Sequence, residues 1–67
     1  MTTEKGPPAL VATVEGPKGT AEIYEIPVPS RDAMIFEYQV KLGAQSQTVR
    51  ALGEAYIIAG EYSGKPT

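Results

Sequence analysis

The sequence of 67 residues contains no cysteine, no histidine and no tryptophan. Without cysteine the chain cannot form a disulfide, and without cysteine or histidine it lacks the ligands that structural zinc sites prefer. Histidine is also the usual base beside a serine, cysteine or threonine nucleophile. These absences argue against disulfide scaffolds, zinc folds and nucleophilic catalysis. We therefore expect a protein that is not an enzyme and that binds no metal and no cofactor.

The chain also lacks a long hydrophobic run and an excess of positive charge. No apolar run approaches the about 20 residues that cross a bilayer, and the first residues, MTTEKGPP, lack the apolar stretch of a secretory signal. A net charge of −2 and an isoelectric point near 4.9 argue against a protein that mainly binds phosphate backbones. The absence of cysteine fits the reducing cytosol. We expect an acidic, cytoplasmic protein without membrane attachment.

The hydrophobic content of 42% and the charged content of 21% indicate a globular chain. A domain this small hides only about 60% of the surface that its unfolded chain exposes, so its core is marginal. Proteins of this size often gain stability from a second chain. We predict a disordered N-terminal tail over residues 1–8, a single domain over residues 9–63 and a C-terminal tail over residues 64–67.

The first half of the chain predicts a β-hairpin. Residues 9–15 alternate in the manner of a strand. The apolar positions expected on one face are Leu10, Ala12 and Val14. The sequence GPKG at 16–19 has the proline and glycine positions of a type I turn. Residues 20–28 then form the returning strand, whose end Pro27 and Pro29 confine to a sheet edge or a bend because neither can donate to a ladder.

The second half predicts two further strands and a helix. Residues 34–42 have the clearest two-residue period, and the apolar face of this strand holds Met34, Phe36, Tyr38, Val40 and Leu42. Residues 45–50 return as a short fourth strand. From residue 51 the period becomes helical, and the helix ends at Gly64. Its apolar sector holds Leu52, Ala55, Tyr56, Ile58, Ala59 and Tyr62.

Together these segments predict an α+β fold. It consists of an antiparallel β-meander of three to four strands, over about residues 9–15, 20–28, 34–42 and 45–50, with one C-terminal helix over about 51–63 packed on one face. The apolar row of the third strand is the expected floor for the helix.

Three groups of residues resemble functional motifs without the context that the motifs need. Glu22, Glu25 and Glu37 could pair as acid and base, but the strand pattern points them into water. The GPKG turn matches a GxxG phosphate clamp, yet here it joins two strands and not two helices. Phe36 and Tyr38 have the spacing of a base-stacking platform, but they share the face that the helix needs as its floor.

Association is the function that remains after these exclusions. An apolar patch is expected on the outer side of the sheet, and a second surface of small residues around one isoleucine is expected on the helix. The candidate interface residues are Tyr24, Ile26, Val28 and Ile35 on the sheet, and Gly53, Ile57 and Gly60 on the helix. An alternative stays open. A bulge in the second strand could turn its residues inward, and a lone exposed isoleucine is normal.

We therefore expect a small non-enzymatic protein–protein interaction module or a homodimer. One alternative is a weak single-stranded nucleic-acid-binding domain that uses its aromatic residues with Lys18, Lys41 and Arg50. The other alternative is an accessory subunit of a larger enzyme complex.

Overall fold

A computed structural model describes residues 6–65 of the chain, so the predicted tails over residues 1–8 and 64–67 lie partly outside the described residues. Its elements are β1 (Ala9–Gly16), β2 (Gly19–Pro29), β3 (Met34–Leu42), β4 (Gln45–Val49) and α1 (Leu52–Ser63). The four strands form one antiparallel sheet in the order β1-β2-β3-β4, and α1 packs against it. The predicted α+β class and the order of the elements are confirmed.

The core lies between α1 and the face of the sheet that it contacts, which we call the inner face. The buried apolar residues are Val14, Ala21, Ile23, Val40, Val49, Ala55 and Ala59. The helix side chains that are completely buried are small, and Ala55, Ala59 and Ser63 recur at four-residue spacing. Ile58 and Tyr62 also pack against the core and are partly buried. Leu52 and Tyr56, the other large members of the predicted apolar sector, are exposed.

The C-terminal end of α1 docks on the turn between β1 and β2. The Lys18 N–H donates to the carbonyl oxygen of Ser63 at 2.8 Å. Gly64 follows the helix with φ 75°, and the N–H groups of Gly64 and Lys65 donate to the carbonyls of Glu61 and Gly60, as in a Schellman motif. The predicted helix end at Gly64 is therefore confirmed. At the other end, the N-cap Ala51 makes no side-chain hydrogen bond, so packing must hold this helix.

A register irregularity in β1 changes the face of one predicted core residue. Leu10 pairs with Tyr24 and Ala12 pairs with Ile23, so Val11 is the extra residue of a β-bulge. The prediction that Leu10 shares a face with Ala12 and Val14 is therefore wrong. Leu10 lies on the opposite face of the sheet, which we call the outer face, and is exposed.

The β2–β3 hairpin extends beyond the helix. Pairing of β1 with β2 ends at Ala9↔Glu25, and pairing of β3 with β4 ends at Tyr38↔Val49, whereas β2 and β3 continue to Pro29↔Met34. We call residues 26–37 the hairpin arm. The expectation that all of β3 forms the helix floor is wrong, because Met34 and Phe36 are 55% and 41% exposed.

The lengths of the elements explain why the arm is left uncovered. The 12 residues of α1 span about 18 Å at ~1.5 Å per residue. The 9 residues of β3 span about 30 Å at ~3.3 Å per residue. The helix therefore covers the end of β3 that holds Tyr38, Val40 and Leu42 and cannot reach the other end.

Replacing Gly16 with alanine tests the contact between the helix end and the first hairpin. An added Cβ would overlap the carbonyl oxygen of Ser63, so the helix would have to move away from the turn. We expect Gly16→Ala to lower the free energy of unfolding by about 1–3 kcal/mol, the usual cost of an overpacked contact. Chemical denaturation followed by circular dichroism measures this change.

Gly53→Ala is the matched control, because a Cβ at Gly53 meets no atom within 4 Å. Alanine is favoured over glycine within a helix by up to about 1 kcal/mol, so this variant should be more stable than the parent. Equal stabilities of the two variants would contradict the close approach of Gly16 to Ser63.

Candidate functional site

The outer face of the sheet carries an apolar row that runs onto the hairpin arm. The register of β2 against β3 is continuous, so the alternative in which a bulge in β2 turns its residues inward is wrong. Val28 lies opposite Ile35, and Tyr24 and Ile26 lie on the same face. The bulge in β1 adds Leu10 beside Tyr24. The four predicted sheet residues thus share one surface, and their role as an interface stays a prediction.

The inner face of the hairpin arm is apolar as well. Phe36 lies opposite Pro27, and Met34 lies opposite Pro29. Both Phe36 and Met34 project on the side of the sheet where α1 sits, but beyond its reach. Sequence reasoning missed them as surface residues, because a two-residue period assigns a face and says nothing about how far the helix extends. The signal that could have found them is the length of the strand compared with the helix.

Two prolines block one edge of the hairpin arm. The Gly6 N–H donates to the Pro27 carbonyl at 3.0 Å, so the backbone polar groups of Pro27 point away from β3. The Pro29 carbonyl, two residues later, points to the same side as the Pro27 carbonyl. The Ser30 N–H points towards β3 instead and donates to the Ala33 carbonyl. Because proline has no N–H, this edge of β2 has no donor at these two positions, and the Pro27 carbonyl is already bonded to Gly6.

The other edge of the hairpin arm is open. Since Pro27↔Phe36 and Pro29↔Met34 are pairs without hydrogen bonds across β2 and β3, the N–H and C=O groups of Phe36 and Met34 point away from β2. They point to the side where β4 pairs with β3, but that pairing ends at Tyr38↔Val49. Within residues 6–65, no strand pairs with this edge at Met34 or Phe36.

A tyrosine–glutamate pair on each face borders the apolar surface. On the outer face the Tyr24 hydroxyl donates to Glu22 Oε1 at 3.0 Å, and the Lys41 Nζ lies 5.6 Å from the centre of the Tyr24 ring. This hydrogen bond, followed by burial and the charge of Glu22, raises the pKa of Tyr24 above its ordinary value. The outer face therefore carries Glu22, Tyr24 and Lys41 near the helix-covered part of the sheet, and Ile26, Val28 and Ile35 together with Glu37 along the arm.

On the inner face the Tyr38 hydroxyl donates to Glu25 Oε2 at 3.2 Å. Burial, followed by this hydrogen bond and the charge of Glu25, raises the pKa of Tyr38. The expectation that Glu25 joins Glu22 and Glu37 on one solvated face is wrong, because the register puts Glu25 on the face opposite to theirs. A carboxylate beside Tyr38 repels phosphates, which disfavours the alternative in which Phe36 and Tyr38 stack bases of a nucleic acid.

The predicted helix residues form a separate surface. Gly53 and Ile57 are exposed, Ile57 to 65%, and a Cβ at Gly53 or Gly60 would meet nothing within 4 Å. They belong to α1, which packs on the inner face, whereas the outer-face row lies on the other side of the sheet. The structure therefore does not bring the two predicted groups together.

The described residues also bear on metal binding and on membrane insertion. Between residues 6 and 65 there is no group of three or more acidic side chains that could hold a metal ion. The only helix of that region, α1, is too short and too polar to cross a membrane.

The two tyrosine–glutamate pairs predict distinct titrations. Glu22→Ala should lower the pKa of Tyr24 most of the way to its ordinary value, since the hydrogen bond to Glu22 is the largest cause of its increase. Glu25→Ala should lower the pKa of Tyr38 only in part, since burial is the largest cause of its increase. A raised pKa means that the folded state favours the neutral phenol. The contribution of each tyrosine to the stability of the fold is therefore complete below its ordinary pKa and is lost as the pH rises through the raised pKa. Ring-carbon NMR shifts followed against pH resolve both tyrosines, and identical behaviour of the two variants would contradict these causes.

Comparison of the chain with models of protein families, with curated proteins and with solved structures finds no match.

Proposed function

We propose that this protein is a non-enzymatic protein–protein interaction module that binds its partner through the hairpin arm. The observation that carries the proposal is the exposure of three consecutive apolar residues of the arm. Met34, Ile35 and Phe36 are 55%, 47% and 41% exposed. Because successive strand residues point to opposite faces, they place exposed apolar side chains on both faces of the arm. Contiguous apolar surface of this kind marks interaction sites in soluble proteins.

The shape of the molecule supports the proposal. Its radius of gyration is 12.9 Å, whereas a compact chain of 67 residues has about 11 Å. Its accessible surface is 4711 Å², whereas a compact protein of 7.1 kDa exposes about 4,100 Å². The molecule extends 44 Å along its longest axis against 20 and 15 Å in the other directions. A partner that covered the arm would remove the exposed side chains of Met34, Ile35 and Phe36 from water.

The arrangement of the titratable groups supports a role other than catalysis. The two tyrosine–glutamate pairs lie on opposite faces of the sheet, so they cannot act on one substrate together. Each tyrosine has a raised pKa and is therefore a poor base near neutral pH.

Capture of the full chain from its native host, followed by binding measurements with the purified partner, tests the proposal. We expect Phe36→Ser to weaken binding by about tenfold or more, because truncating an aromatic anchor at the centre of an interface has effects of this size. Phe36 is exposed and lies outside the core, so the variant should keep the fold. Isothermal titration calorimetry measures the affinity, and circular dichroism checks the fold.

Ile57→Ser is the matched control, because Ile57 is the most exposed large apolar residue of the helix. It should leave the affinity unchanged. A partner that is lost with Ile57→Ser and retained with Phe36→Ser would place the interface on the helix and reject the hairpin arm.

A further inference from the structure

We infer that the open edge of β3 binds a second copy of this chain, and that the two β3 strands pair in antiparallel orientation about a two-fold axis at Ile35. This inference rests on the proposed function, since it names the partner of the same hairpin arm.

The backbone supports one register for this pairing. Met34 and Phe36 are the residues of the open edge whose N–H and C=O groups point outward. With the axis at Ile35, Met34 of each copy lies opposite Phe36 of the other, and each of these pairs exchanges two hydrogen bonds. An axis at Met34 would place Phe36 opposite the loop residue Asp32. An axis at Phe36 would place Met34 opposite Tyr38, which already pairs with β4. Only the axis at Ile35 pairs all the outward N–H and C=O groups of Met34 and Phe36.

The side chains complement one another in this register. On the inner face, each Phe36 ring lies beside Met34 of the second copy, and thioether–aromatic contacts of this kind are favourable. On the outer face, the two Ile35 side chains meet at the axis in a pair without hydrogen bonds, where side chains approach most closely. All three exposed residues of the arm are then covered by the same residues of the second copy.

The length of the open edge favours a second copy over a foreign strand. The edge ends on one side where Val49 pairs with Tyr38 and on the other side at the loop over residues 30–33. A strand that passed Phe36 towards Tyr38 would therefore meet the end of β4. In the antiparallel dimer, the second copy reaches this position with its loop over residues 30–33, where its chain turns back into β2. The pairing strand of the second copy therefore ends where the open edge ends.

The short contact favours a dimer of modest affinity. The open edge offers Met34 and Phe36 for backbone pairing, and Met34, Ile35 and Phe36 are its exposed apolar side chains. An interface built from so few residues lies at the small end of specific protein contacts. We therefore expect a dimer that dissociates at micromolar concentration and not an obligate one.

Cysteine cross-linking tests the register directly, because the natural chain contains no cysteine. With the axis at Ile35, the two Cβ atoms of Ile35→Cys lie about 4.5–5.5 Å apart, close to the range that a disulfide needs. We expect this variant to oxidise to a covalent dimer at low micromolar concentration. Ile57→Cys, whose side chain is at least as exposed, should remain mostly monomeric under the same conditions. Equal cross-linking of the two variants, or preferential cross-linking through Ile57, would overturn the register.

Sedimentation equilibrium of the full chain tests the dimer without a cross-link. Ile35→Lys places two positive charges together at the axis and should raise the dissociation constant about tenfold or more, whereas Ile57→Lys should not change it. Met34→Pro removes an outward N–H without affecting the β2–β3 ladder, so it should weaken the dimer more than Met34→Ala does. Circular dichroism confirms that each variant is folded, and equal effects of the two Met34 variants would overturn the edge pairing.

The outcomes separate this inference from the proposed function. A natural chain that stays monomeric at millimolar concentration while its arm binds a different protein would overturn the dimer and leave the interaction module in place. If the chain is monomeric and its arm variants bind every captured partner as tightly as the natural chain does, both the dimer and the interaction module are overturned.

Discussion

The close approach of α1 to the sheet depends on three small side chains, Ala55, Ala59 and Ser63, which are fully buried at four-residue spacing. Because they are small, the helix backbone comes near enough for the Ser63 carbonyl to accept a hydrogen bond from Lys18. The same closeness allows only glycine at position 16. The small domain therefore obtains a dense core from few large side chains, chiefly Ile23 and Val40.

This kind of packing also limits what the core can cover. A short helix that lies close to the sheet shields only the part of the sheet directly beneath it, and its larger core-packed side chains, Ile58 and Tyr62, leave the inner face of the arm uncovered. Met34 and Phe36 are therefore exposed, although they continue the inner-face row of Tyr38 and Val40 along β3. The buried core beneath α1 and the exposed arm beyond it thus have one cause, because the helix is shorter than the strands on which it packs.

The sequence predicted the elements well because their boundaries carry local chemistry. The GPKG turn and Gly64 mark their positions through backbone preferences, and the two-residue period of β3 assigns its faces. The bulge at Val11 escaped prediction because a β-branched residue gives no signal for an extra residue in a strand. The exposure of Phe36 escaped for another reason, since it depends on the relative reach of two elements, and that is a tertiary property. The candidate surface was therefore predicted on the outer face and missed on the inner face.

The prolines of β2 have a consequence for how far association can proceed. A sheet with two open edges can add copies without end and grow into a fibre. Here Pro27 and Pro29 remove the donors of one edge of the arm, the bulge at Val11 distorts β1, and β4 is a short, mostly polar strand. In the dimer that we infer, the open edge of β3 is used once per molecule, so growth stops when two such edges have met. The prolines thus favour a closed assembly over an open-ended polymer.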